Sequence, residues 1–101
     1  MKLTLLIDDL RDVEVDVIAR SGEAGLLVLD LINIDTLYLD HDLGDGISGY
    51  GVACKALEVG IMPKTVVLVT SNPVGRDNII AALKQFGYTN KAGEMTTWTR
   101  K

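Results

Sequence analysis

The chain is poor in the features that mark several protein classes. A single cysteine, Cys54, excludes a disulfide scaffold, and it fits a reducing cytoplasm. No apolar run approaches the roughly 18–20 residues of a membrane span. The opening Met-Lys-Leu-Thr-Leu-Leu-Ile stops at Asp8 and Asp9, well short of a signal peptide's apolar region. Basic residues are few and scattered, ten along 101 residues with a formal net charge of -4. That balance argues against duplex DNA binding through the phosphate backbone, while leaving room for a small phosphorylated ligand. Prolines number two and histidines one, His41. Aromatic residues make up only 5%, and Tyr38, Tyr50 and Trp98 read as packing residues rather than stacking platforms.

What is abundant is apolar content, at 48%, which excludes disorder, and a length of 101 residues suits one domain with one core. Glutamate is scarce, with four against ten aspartates. Helix surfaces usually carry Glu, so this excess of Asp points to turns, caps or a cation site.

Hydrophobic patterning predicts an α/β fold. Leu3 to Ile7 reads as a buried strand, and residues 13–19 alternate as a second strand with one wetter face. A parallel crossover with a helix takes about a dozen residues or more. The few residues from Leu10 to Asp12 therefore form either a hairpin or an extended return. Ser21 to Ile32 reads as a mostly buried helix, and Thr36 to Leu39 as a third strand. Ser48 caps a helix whose apolar stripe is Tyr50, Ala53, Cys54 and Leu57, with Gly60 beyond its end and Cys54 in the core. Thr65 to Val69 is a β-branched fourth strand. Asn72-Pro73 opens a last helix that ends before Gly87. The tail from Tyr88 to Lys101 reads as an edge strand at Met95 to Trp98 or as a frayed end.

Three loops follow strands: Asp8-Asp9-Leu10-Arg11, Asp40-His41-Asp42-Leu43-Gly44, and Thr70-Ser71-Asn72-Pro73-Val74-Gly75-Arg76. In an open parallel sheet they converge on the C-terminal edge, where ligands bind. Crowded carboxylates repel unless a cation or an Arg compensates. Asp8, Asp9 and Asp40, with a backbone carbonyl near Asp42, are the candidate ligands for Mg²⁺, or Mn²⁺ in its place, since hard oxygen donors suit a cation that shares itself with phosphate. The third loop offers Thr70, Asn72, Arg76 and a helix N-terminus to an anion. His41 sits inside the cluster and can move a proton near neutral pH.

The order of acidic pair, strand-end aspartate and strand-end hydroxyl resembles the receiver domains of two-component response regulators. Ile7-Asp8-Asp9-Leu10-Arg11, Leu39-Asp40-His41-Asp42-Leu43-Gly44, Ser48-Gly49-Tyr50 and Asn72-Pro73-Val74-Gly75-Arg76 resemble more closely the cyclic-phosphate processing receiver domains. The likeness spans roughly residues 1–86. It implies a reduced flavodoxin-like, three-layer sandwich with a mostly parallel sheet of four to five strands and the first helix replaced by a short loop. It also implies metal-dependent processing of a cyclic phosphate, on a nucleotide or an RNA 2′,3′ end. Asp40 and His41 would then be catalytic, and Thr70, Ser71, Asn72, Gly75 and Arg76 would hold phosphate. Such small proteins also occur in bacteriophages, which would put this one in a host cytoplasm. Two positions depart from the pattern: Val69 stands where the family has a histidine, and only Lys91 matches the receiver lysine by position. The alternative is a module without turnover, either a phosphoacceptor at Asp40 or a domain that binds a ligand or protein.

Overall fold

Leu5, Leu6 and Ile7 are wholly buried, and the run that they end, Leu3–Ile7, forms strand β1. The computed structural model describes residues 2–90 and 94–101. After β1 come β2 (Val17–Ala19), α1 (Gly22–Leu31), β3 (Ile34–Leu39), α2 (Gly49–Val59), β4 (Thr65–Leu68), α3 (Pro73–Gln85), β5 (Thr89–Asn90) and β6 (Thr97–Thr99). The six strands form one sheet in the order β2-β1-β3-β4-β6-β5. The first four are parallel, while β6 runs antiparallel to both β4 and β5.

Caps account for the helix starts. Ser21 accepts from the Ala24 amide, Ser48 from Gly51 and Asn72 from Gly75, each at N3. Gly60 closes α2 in the left-handed region at φ 78.

The α/β, receiver-like, mostly parallel architecture is as expected, and its reduction goes further than three layers. The connections β2-α1-β3 and β3-α2-β4 both step in the same direction along the sheet. Right-handed crossovers therefore put their helices on the same face. Accordingly α1 packs beside α2, and α2 beside α3. Leu5, Ile7, Leu37, Leu39, Val66, Leu68 and Trp98 face this helix layer in one core. The alternate residues face away, and register aligns Thr4, Thr36, Thr65, Thr99 and Thr89 in a row across five strands. The result is a helix layer on a sheet, with no second helix layer among the described residues.

Between β1 and β2 the chain makes the extended return, not a hairpin, since the two strands are parallel. Its lower end is pinned where the Asp16 carboxylate accepts from the Thr4 amide at 2.9 Å. The strand itself is shorter than residues 13–19, because the return consumes Val13 to Asp16.

Helix α1 is less buried than its composition predicts: Leu27 and Leu31 are 63% and 78% exposed. It stands at the end of the helix row, with a helical neighbour on one side only. The described part of the tail holds two short strands, β5 and β6, rather than a frayed end. β6 lies inside the sheet, not at its edge, and two-residue β5 makes six strands where four to five were expected. Trp98 anchors it, buried and donating Nε1–H to the Met95 carbonyl at 2.9 Å. Cys54 is half-buried against the core. Among the described residues, no helix is long and apolar enough to cross a membrane.

Candidate functional site

The register Ile7↔Leu39 brings the ends of β1 and β3 side by side, so Asp8 and Asp40 leave the sheet as neighbours. Each amide continues the ladder, Asp8 to the Ala19 carbonyl and Asp40 to that of Ile7, both at 3.1 Å. Both side chains are buried, at 2% and 8% exposure, and Asp9 is half-buried beside them. One carboxylate oxygen from each of Asp8, Asp9 and Asp40 lies within 4.8 Å of the other two. Unit charges about 4 Å apart repel by ~4 kcal/mol at an effective dielectric of 20. Three such groups are therefore stable together only with positive charge nearby.

Part of that charge comes from a residue that sequence reasoning left out of the site. Asp8 Oδ1 accepts the amides of Leu10 and Arg11 at 3.0 and 2.9 Å, a tight turn that folds Arg11 back. Arg11 Nη1 then donates to Asp8 Oδ2 at 3.3 Å and to the Val69 carbonyl. The Asp-x-x-Arg spacing was the available signal for the first contact. The second joins positions 58 residues apart and has no local signature.

The loop after β3 is gripped from two sides. Gly49 at the start of α2 donates its amide to the His41 carbonyl at 2.9 Å. A Cβ at Gly49 would stand 1.9 Å from the Asp40 carbonyl oxygen, so only glycine fits there. On the other side the His41 ring packs against Gly75 in the first turn of α3, where a Cβ would stand 2.2 Å from Cγ. His41 Nδ1 is buried there without a hydrogen-bond partner among the described residues.

Asp42 does not join the carboxylate trio. Its exposed side chain accepts from Asn72 Nδ2 at 3.4 Å. Asn72 is thereby engaged at both side-chain atoms, since its Oδ1 caps α3 through the Gly75 amide at 3.0 Å. Thr70 Oγ1 accepts from the Asn72 amide at 3.1 Å, which leaves its hydroxyl proton to donate elsewhere. Ser71 is exposed on the same loop. Arg76 Nε is buried without a hydrogen-bond partner among the described residues and stands 3.9 Å from Asp77 Oδ1. Val69 contributes its backbone, donating its amide to the Leu39 carbonyl. Lys91 lies outside the described residues. A groove of about 550 Å³ opens elsewhere, between the end of α1, the start of β3 and the α2–β4 loop. The carboxylates stand at the other end of the strands.

Three carboxylates, one arginine and a capped helix start can hold a hard divalent cation beside an anion. Comparison with known proteins agrees on the architecture. The chain is similar to a solved structure, a fusion of yeast Spc42 trimeric coiled-coil residues 181–211 to another protein, at 23% identity and a TM-score of 0.62. The similarity covers 80% of this chain and 60% of that one, and it speaks for the fold alone. No curated protein matches by sequence. The sequence pattern of the cyclic-phosphate processing receiver domain matches residues 3–85, taking in all three loops of the site, and the chain belongs to that family.

Proposed function

We propose that this protein binds a cyclic phosphate with the help of Mg²⁺ or Mn²⁺ and opens it by hydrolysis, the phosphate being borne by a nucleotide or by an RNA 2′,3′ end. The observation that carries this reading is the trio Asp8, Asp9 and Asp40, with ligand oxygens within 4.8 Å of one another on the sheet edge where α3 begins. The donor set fits the metal, since all three are hard, anionic oxygens and two are buried. When bound, such a cation polarises a phosphoryl oxygen or lowers the pKa of a water.

The chain's own residues do the rest. Thr70 donates a hydroxyl proton to a phosphoryl oxygen, and Arg76 brings charge from the first turn of α3. Asn72 and Gly75 shape the start of that helix, whose amides face the anion. His41 is the proton carrier in this scheme, a role worth on the order of 10²–10⁴ in rate. Membership in a family named for cyclic-phosphate processing supports the substrate class.

The test is incubation with 2′,3′-cyclic nucleotides and Mg²⁺, with phosphomonoester release followed over time. Steady release, abolished in Asp40→Asn and lowered in His41→Ala, is the expected result. The absence of release from every cyclic phosphate offered would refute hydrolysis.

A second reading, binding without turnover, is favoured by two observations. Val69 replaces the family histidine, and the His41 ring is packed on Gly75 with Nδ1 buried. On that reading Asp40 is either a phosphoacceptor or a ligand contact. A stable mass gain with acetyl phosphate, lost in Asp40→Asn, would select the phosphoacceptor.

A further inference from the structure

The Arg11 guanidinium occupies a position that its place in the chain does not suggest. Arg11 follows β1, yet its Nη1 is shared between Asp8 at the end of β1 and the carbonyl of Val69 just past β4. In the sheet β3 lies between those two strands. A nitrogen bonded to both therefore lies over the end of β3, the strand that delivers Asp40. Val69 is followed at once by Thr70, so the guanidinium stands between the carboxylate trio and the hydroxyl of the anion loop.

The residue is held as a fixed device rather than as a mobile surface side chain. Its amide is fastened to Asp8 Oδ1 at 2.9 Å, and its carbonyl accepts from Arg20 Nη1 at 2.7 Å. Nη1 uses its two protons on Asp8 and Val69. Among the described residues Nη2 and Nε make no hydrogen bond, and the side chain is 43% exposed. That free edge is the planar pair of N–H groups that matches two oxygens of a phosphate.

We propose that Arg11 is a phosphate-contacting residue of this site: Nη1 orients the guanidinium over Asp40, and the Nη2/Nε edge takes two phosphoryl oxygens. This assignment rests on the metal-and-phosphate reading above. It differs from a plain ion pair, in which Arg11 would only offset Asp8 and tie down the return between β1 and β2.

Inorganic phosphate and Mn²⁺ serve as probes on the intact chain, with Arg11→Gln and Arg11→Lys as variants. His41 is the only histidine, so its ring resonance reports on the site without assignment ambiguity. Broadening of that resonance by Mn²⁺ gives the metal affinity. Shifts of the Thr70, Ser71, Asn72, Val74, Gly75 and Arg76 amides, titrated with phosphate in excess Mg²⁺, give the anion affinity.

The expected result is Mg²⁺-dependent phosphate binding to the wild type, weakened at least about tenfold in Arg11→Gln. Mn²⁺ affinity is expected to be unchanged or higher in that variant, because a positive charge has left the side of Asp8. Arg11→Lys should recover only part of the loss, since an ammonium lacks the fork. Wild-type phosphate affinity in Arg11→Gln would overturn the assignment while leaving the site reading intact. Parallel loss of Mn²⁺ and phosphate, with a changed amide spectrum, would overturn it in favour of a structural strap. Full recovery by lysine would overturn the fork. A wild type that binds Mn²⁺ but never phosphate would overturn the underlying reading, and this assignment with it.

Discussion

Gly49→Ala tests whether the packing of α2 against the Asp40 loop builds the site. The added Cβ would stand 1.9 Å from the Asp40 carbonyl oxygen, 2.8 Å from its carbon and 2.7 Å from His41 Cα. All three are backbone atoms, so no side-chain rotation relieves the clash. Ordinary contact begins near 3.4 Å, which demands a separation of roughly 1.5 Å between the helix start and the loop. Overpacking of this kind costs about 1–3 kcal/mol, and the strained Gly49 amide to His41 carbonyl bond adds about 1 more. Alanine's better helix propensity returns at most ~1 kcal/mol. The net loss is about 2 kcal/mol, or roughly 8–16 °C in Tm for a domain of this size. Urea or thermal unfolding followed by circular dichroism measures it. Mn²⁺ broadening of the His41 resonance should weaken in parallel, because Asp40 moves with the loop. Gly75→Ala is the comparison: there the closest clashes, at 2.2 and 2.4 Å, are with ring atoms of His41 that side-chain rotation can move, and Cβ at 2.8 Å adds a smaller one that it cannot. It should lose less stability while shifting the His41 resonance more. A Gly49→Ala protein within about 0.5 kcal/mol of wild type would refute the argument.

Asp9→Asn should act with opposite signs in the absence and presence of metal. Removing one of three crowded carboxylates raises the metal-free midpoint by about 1 kcal/mol equivalent, and it removes the midpoint rise that Mg²⁺ gives the wild type, as thermal-shift assays would read. Asn72→Ala deletes the cap of α3 and should lose ~1 kcal/mol in urea unfolding, whereas Asn72→Asp keeps the cap but repels Asp42 and should lose less. Tyr88 is buried, its hydroxyl donates to the Pro63 carbonyl at 2.6 Å, and burial raises its pKa above 10.0, with Arg100 opposing in part. Its proton is held more tightly in the folded state, so stability is full below about pH 10 and falls as pH rises through the folded pKa. Tyr88→Phe should flatten that alkaline decline in pH-dependent unfolding.

Much of this was legible in the residues, for reasons that can be named. Caps are local, so Ser21, Ser48 and Asn72 each marked a helix start correctly. The meeting of Asp8, Asp9 and Asp40 followed from parallel topology, which sends strand ends to one edge. The fate of the other loop side chains did not follow. Asp42 and Asn72 satisfy each other across 30 positions, a pairing that depends on how two loops sit and not on either loop's composition. The β6 insertion escaped because Thr97–Thr99 draws its stability from Trp98 packing and from β4, both non-local. The exposure of α1 escaped because an apolar helix at the end of a row reads like one in its middle.

The missing first helix and the arginine over Asp40 are two aspects of one event. With β2 reached by an extended return, every helix-bearing crossover steps the same way, and the helices line up on one face. A helix after β1 would carry the chain directly down the other face. The return instead turns at Asp8, passes over the sheet edge far enough for Arg11 to reach Val69, and is held by Arg20 before descending to Asp16 and Thr4. Leu6, on the face away from the helices, is still fully buried, whereas the threonine row beyond it is left without a helix layer. Economy of chain thus has a chemical consequence. The residues left after the helix is removed are the ones that bring a fixed guanidinium to the strand-end aspartate.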